Sequence, residues 1–325
     1  ALLNISTLRR LFAAFAAATA FAAAFAFSPG IPSAVAAPLW DGRVIVHAME
    51  YPWSAIGRLN AGGRKHCTGV LISERHVLTE ARCLYNGTEG RWFSPTDLHF
   101  IAGYQRDSYR IHSGVSRYLV PPRYSASNEP TLASFANNWS IVTLEHPLGR
   151  QAGWIGLQWL DAYALSQLDR GDAYLLEAGY RPGQTHVITI TPDCGIESLL
   201  RRELFAQRRC KAHTAEAGLA KLLYIDGEFR VLAPQAAKRP DIRQILGTDS
   251  LRVSHAPAPG SPAGRQPSET VRQLLSQLGY LDVDNSHTNG VETRAAIREF
   301  ENEQGLPETG QPSVYLLGQL IPAAN

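Results

Sequence analysis

The stretch HCTGVLISERHVLTEARCLY, from His66 to Tyr85, holds two cysteines sixteen positions apart. After Cys67 come a small-residue step, a hydrophobic strand, an apolar-Thr approach and Cys83. Outward from it, short runs rich in Val, Ile, Leu, Thr and Tyr predict strands at Val44–His47, Trp53–Leu59, Thr68–Ile72, Ile141–Leu144, His186–Ile190 and Phe229–Leu232. Turn-forming pairs such as Gly62-Gly63, Pro121-Pro122 and Asp226-Gly227 punctuate them. Many short strands with frequent turns predict a mainly β barrel or sandwich. Ala162–Leu168 has helical composition and reads as a local helix.

The 325 residues exceed what one core usually organises, so two domains are expected. With 45% hydrophobic and 18% charged residues the chain is globular rather than disordered. A formal charge of +2 gives no argument for a nucleic-acid partner or an anionic membrane surface. The charge is uneven: from Ser268 onward eight acidic residues face three arginines, a net of −5 that leaves +7 on the rest.

Arg9 and Arg10 precede an apolar run, Leu11 to Phe27, and Ala34-Val35-Ala36 supplies small residues for cleavage. Residues 1–36 therefore read as a secretory signal peptide, with an uncleaved membrane anchor as the alternative. The run is short and Ala-rich for a span, so no stable membrane span is expected after its removal. Export places the protein in the periplasm or cell envelope and makes disulfides the default for its four cysteines. Of three pairings, proximity favours Cys67–Cys83 and Cys194–Cys210, each closing a loop of about 15 residues, roughly 3 kcal/mol in the chain-entropy model. No two cysteines stand two to four apart, as a zinc site would need, and neither metal nor cofactor is expected.

Residues 255–267, HAPAPGSPAGRQP, read as a Pro/Ala/Gly linker, with an ordered surface loop as the alternative. Beyond it the period changes. Val271, Leu274, Leu275 and Leu278 are spaced for a helix, with Ser268 as its cap. A second helix is expected from Thr293, burying Ala296, Ile297 and Phe300 and stopping at Gly305; a third starts at Ser313 and buries Leu316, Leu317 and Leu320. Three short helices over residues 268–325 make only a small core.

The 66–85 stretch resembles the trypsin-like serine proteases, in which CxGxLI…VLTAAHC places a disulfide beside the catalytic histidine. Tyr51-Pro52-Trp53-Ser54 resembles that family's first barrel strand. Asn137-Asn138-Trp139-Ser140-Ile141-Val142 is similar to the segment that supplies its aspartate. Cys210 to Leu223, CKAHTAEAGLAKLL, resembles the nucleophile loop, CDAxxGDSGSPLL. The resemblance runs from about Arg43 to Val253 and implies a two-barrel domain over residues 37–254.

The chemistry does not follow. At the histidine position stands Arg82, which stays protonated and accepts no proton. Asn138, a neutral amide, stands for the aspartate that would stabilise an imidazolium, and Ala217 for the serine. Ala215 replaces the glycine that helps form the oxyanion hole, and its Cβ disfavours positive φ. Leu219 and Ala220 replace Ser and Pro of the same loop. Loss of the catalytic unit costs on the order of 10⁶ in turnover. The expectation is therefore a pseudoenzyme, a hydrolase by homology only.

The candidate substitutes are His76 or His213 as base and Ser73 or Thr214 as nucleophile. A base needs its nucleophile within hydrogen-bond reach and a third group to orient it, and the sequence supplies no such trio. Arg82 has Glu80 beside it in sequence and Glu216 as a candidate in space. After the last hairpin, Ala233-Pro234-Gln235-Ala236-Ala237 departs from active relatives, and Pro234 removes a strand donor.

The C-terminal VRQLLSQLGYLD, VETRAAIREFENEQGLPETG and SVYLLGQL resemble the peptidoglycan-binding family of three-helix modules. Its D-G-x-[FY]-G loop is reduced here to Asn285–Gly290. The apolar spacing alone equally suits a helical bundle or a protein-docking module. The expected partners are peptidoglycan or cell-wall fragments, and a peptide or protein in the degenerate cleft. The expected function is a non-catalytic protease homologue tethered to the wall. A serine endopeptidase with an unrecognised arrangement and a structural interaction protein are the alternatives.

Overall fold

In a computed structural model the described residues are 43–63, 65–126, 137–192, 219–232, 253–257, 266–282 and 290–324. Strand β1 (Val44–Val46) is followed by a 3-10 turn at Trp53–Ala55 and by β2 (Ile56–Ala61), β3 (Lys65–Leu71) and β4 (His76–Thr79). A second 3-10 turn, Ala81–Leu84, leads to the hairpin β5 (Tyr85–Asn86) and β6 (Arg91–Trp92), then β7 (Leu98–Ala102), β8 (Ile111–Leu119) and β9 (Ser140–Leu144). Strands β2, β3, β4, β9, β8 and β7 close into a barrel. Gly69 pairs with Gly57 across β3 and β2, and a Cβ on Gly57 would lie 2.3 Å from Phe100. The small-residue step is thus the seat of a buried aromatic ring.

Helix α1 (Gly149–Ala152), β10 (Leu157–Gln158) and α2 (Ala162–Arg170) carry the chain to the second sheet. There β11 (Tyr174–Arg181), β12 (Gln184–Pro192), β13 (Ala220–Ile225) and β14 (Glu228–Leu232) give the order β1-β12-β11-β13-β14-β10. Asp161 caps α2 by accepting the Ala164 N–H at 2.9 Å, and Gly171 ends it in the left-handed conformation. Asp226 and Gly227 both have positive φ, the geometry of a two-residue hairpin turn between β13 and β14.

Two strand expectations shift. The segment from Trp53 begins as a 3-10 turn rather than a barrel strand, because Ser54 and Ala55 donate backward to Glu50 and Pro52, and Ser54 Oγ to the Ala152 carbonyl. Strand β1 stops at Val46 because the His47 N–H leaves the ladder for Thr270 Oγ1, at 3.1 Å.

Helices α3 (Ser268–Gln277), α4 (Gly290–Glu303) and α5 (Val314–Ala323) follow the predicted periodicity. Ser268 is the first residue of α3 rather than its cap, which is Pro267. Ser313 caps α5, accepting the Leu316 N–H at 3.0 Å. Val271, Leu274, Leu275, Ile297, Phe300, Leu316, Leu317 and Leu320 belong to one apolar cluster with the residues of both sheets. Burying each adds roughly 1.5–3 kcal/mol, so the small helical core is backed by the larger one. Helix α5 lies on the second sheet. Tyr174 OH donates to the Gly318 carbonyl at 2.9 Å and Tyr224 OH to that of Tyr315 at 3.1 Å. A Cβ on Gly318 would stand 2.0 Å from Tyr224, so glycine sets the approach. His255, at the start of the expected linker, stacks on Trp154 with ring centroids 4.3 Å apart and exchanges backbone hydrogen bonds with it.

Candidate functional site: the Arg82 turn and the helical module

Strands β4 and β9 are antiparallel neighbours with Thr79 opposite Ser140, so the residues just beyond that pair meet. These are Glu80, Arg82 and Asn138. The Arg82 backbone N–H donates to Asn138 Oδ1 at 3.0 Å, and Asn138 Nδ2 donates to Glu80 Oε2 at 3.1 Å. Arg82 Nε pairs with the same Glu80 oxygen. One carboxylate thus binds both the amide and the guanidinium. The Arg82 side chain keeps 40% of its surface exposed and Glu80 24%, a setting in which an ion pair is worth little by itself. Glu216, the other candidate partner, lies outside the described residues.

The turn carrying Arg82 is held from two further sides. Cys67 and Cys83 are bonded, with Cα atoms 6.1 Å apart, as proximity favoured. Lys65 Nζ donates to the carbonyls of Arg82 and Tyr85, at 2.5 and 3.0 Å. Burial pushes the Lys65 pKa down, the Arg82 charge adds to this, and Glu80 opposes it. Tyr124 stands beside the pair. Burial raises its pKa, Arg82 lowers it and Glu80 raises it further. Tyr124 packs edge-on to Trp92, at 6.1 Å between ring centroids, and Trp92 to Tyr85 at 5.3 Å. Lys65, Trp92 and Tyr124 carried no signal in the sequence. Strand pairing and turn geometry assemble them.

Chemically the described part of this site holds a guanidinium, a carboxylate, an ammonium and an amide. Arg82 is a donor only, and Asn138 has both ends of its amide engaged. Ala215 and Ala217 lie outside the described residues, as do His213, Thr214, Pro234 and the pair Cys194 and Cys210. Leu219 is buried, and Ala220 opens β13 opposite Ala178.

Ser73 and His76 do meet. Ser73 Oγ lies 2.8 Å from His76 Nδ1 and accepts the His76 backbone N–H at 3.1 Å. The pair closes the turn between β3 and β4, at the opposite end of β4 from Glu80 and Arg82. Burial pushes the His76 pKa down, and Arg117, the neighbouring charge, pushes it further. Among the described residues no carboxylate is hydrogen-bonded to this imidazole as a triad requires. The two residues are a turn closure.

In the helical module, Glu301 is buried and orders the loop after α4. It accepts the N–H groups of Thr309 and Gly310 at 2.7 and 2.9 Å, and the Thr309 hydroxyl at 2.5 Å. Gly305 takes the left-handed conformation just past α4, and the Leu306 N–H returns to the Glu301 carbonyl at 2.7 Å. Tyr280 packs edge-on to Phe300 at 5.6 Å and donates its hydroxyl to Glu303, which raises the Tyr280 pKa to about 12. Of Asn285–Gly290, only Gly290, the first residue of α4, lies among the described residues. Among the described residues no helix is long and apolar enough to cross a membrane.

No curated protein matches the chain. Residues 43–169 match the family described as "Trypsin", a span that includes Arg82 and Asn138 and ends within α2, ahead of the nucleophile loop. Residues 265–318 match the family described as "Putative peptidoglycan binding domain". Among solved structures, the chain is similar to that titled "Structure of Glu endopeptidase in complex with MPD". The identity is 16%, over 56% of this chain and 80% of that one, with a TM-score of 0.40. The chain has a trypsin-like fold joined on its C-terminal side to a peptidoglycan-binding domain.

Proposed function

We propose that this protein is a pseudoprotease of the periplasm or cell envelope that attaches to peptidoglycan and acts by binding. One observation carries the reading. Arg82 and Asn138, which the sequence resemblance sets at the positions of the family's catalytic base and orienting acid, are joined through Glu80, and among the described residues this network binds a guanidinium and an amide to one carboxylate. Ala217 at the serine position supports it from the sequence. The match of residues 265–318 supports wall attachment, and the apolar run at Leu11–Phe27 supports export. In this reading the cleft beside Arg82 holds a peptide or protein without cutting it.

The test uses the whole chain. It should sediment with purified sacculi and be displaced by solubilised wall fragments, while leaving a mixed peptide library uncut. Failure to sediment removes the wall partner. Fluorophosphonate labelling that disappears on heat denaturation removes the pseudoprotease and restores an endopeptidase of another arrangement.

A second reading has its own observation. Helix α5 already docks on protein, with Gly318 against Tyr224, as expected if the module is a protein-docking element. Sedimentation with sacculi stripped of bound protein separates the two, because a protein-docking module stays in solution.

A further inference from the structure

Strands β7 and β8 turn one face to the core and the other to solvent. Leu98, Phe100 and Ala102 point inward from β7, whereas His99 and His112 lie on the outer face. Register places His99 opposite Gly114 and Ile101 opposite His112, so the two histidines are diagonal neighbours across one strand pair. Their rings converge, with His99 Nε2 2.8 Å from His112 Nδ1 and centroids 4.8 Å apart. Tyr109 packs edge-on to the His112 ring at 5.4 Å. Gly114 leaves a gap in the same face, and the Glu145 carboxylate fills it; a Cβ on Gly114 would lie 2.6 Å from Glu145 Oε2. The Glu145 backbone N–H is itself tied to the Gly114 carbonyl at 3.1 Å. The two ring nitrogens thus face each other across one hydrogen bond, with a carboxylate over the adjoining position.

We propose that His99 and His112 form a surface chelate for a borderline divalent cation, Zn²⁺, Ni²⁺ or Cu²⁺. Imidazole nitrogen suits these ions, and Mg²⁺ and Ca²⁺ prefer oxygen. Tetrahedral Zn–N bonds of about 2.0–2.1 Å need the two nitrogens roughly half an ångström further apart than they stand. Rotation of the exposed His112 ring supplies that opening. One proton now lies between the rings. On binding, the ring that carries it shifts to its other tautomer, so each histidine offers a lone pair. Among the described residues no three His, Cys, Asp or Glu side chains are grouped to hold a metal. Water therefore completes the coordination, and Glu145 offsets the cation's charge from its place over Gly114.

The test titrates the full chain with ZnCl₂ and with NiCl₂ at pH 7.5 in a non-chelating buffer, by calorimetry. One ion per chain is expected. His112→Ala and His99→Ala should each weaken binding at least tenfold. His186→Ala, whose ring instead bonds Tyr104 OH at 2.7 Å, should leave it unchanged. Should either variant fold poorly, Ni²⁺ added to the parent should broaden the ring resonances of His99 and His112 before those of other histidines. Absence of binding in the parent, affinity in either variant equal to the parent's, or broadening centred on other histidines overturns the proposal.

Discussion

The carboxylate of Glu50 accepts the backbone N–H of Thr270 at 3.1 Å, across 220 residues of sequence. It also accepts the Glu269 N–H at 2.7 Å and the Thr270 hydroxyl at 3.1 Å, while Thr270 Oγ1 accepts the His47 N–H. A side chain just after β1 thus satisfies the open N-terminus of α3, the work a capping residue does from within a helix.

Glu50→Ala strands two backbone donors and a hydroxyl at a buried interface. The expected cost is about 2–4 kcal/mol, from the loss of a cap together with unsatisfied buried groups. Glu50→Gln keeps one acceptor oxygen and should cost less. Urea unfolding of the three proteins measures this, and a change below about 0.5 kcal/mol would show that the carboxylate does not hold the helix.

Asn138→Asp should destabilise this protein. The new carboxylate would face the Glu80 oxygen to which Asn138 Nδ2 now donates. A loss of about 1–3 kcal/mol near neutral pH is expected from the missing donor and the like-charge contact. Adding Glu80→Ala should recover part of it. A double-mutant cycle reads the coupling, and additive losses would rule out the contact.

Gly318→Ala places a methyl group inside the Tyr224 ring envelope. Overpacking of about 1–3 kcal/mol is expected, with α5 displaced from β13. Calorimetric melting together with near-ultraviolet circular dichroism of the Tyr174–Tyr224 stack, at 5.1 Å, checks both effects. A Tyr224→Leu background should soften the penalty.

Burial pushes the pKa values of His66 and His76 below the ordinary 6.5, with Arg58 and His186 adding to the first and Arg117 to the second. The folded state therefore favours the neutral rings. Their stabilisation is fully present above pH 6.5 and is lost as the pH falls through the lowered values. Unfolding free energy measured from pH 8 to pH 5 should decline toward acid, and His76→Gln should flatten the slope. An unchanged slope in that variant would exclude His76 as a contributor.

Much of the fold was readable because short-range signals agreed with it. Cys67 and Cys83 bracket a turn, Asp226-Gly227 takes the hairpin conformation, and the apolar spacing from Val271 to Leu320 became three helices. What escaped depends on pairing between distant strands. His99 and His112 stand 13 residues apart in sequence, and only the β7–β8 register makes them neighbours. Glu80 was noted as a sequence neighbour of Arg82, but its bond to Asn138 follows from β4 lying beside β9. The Gly318 contact was hidden because the helical module read as self-contained, and nothing local to Gly318 names Tyr224 as its partner.

Strand β1 lies at the edge of the second sheet, paired with β12, although the whole first barrel intervenes in the chain. Closing so long a loop loses chain entropy before any ladder hydrogen bond compensates for it, and topologies of that kind assemble slowly. Its neighbour Glu50 waits longer still, for residues 269 and 270. On a ribosome β1 could not settle until β12 had emerged, nor could Glu50 find its partners until residues 269 and 270 had followed.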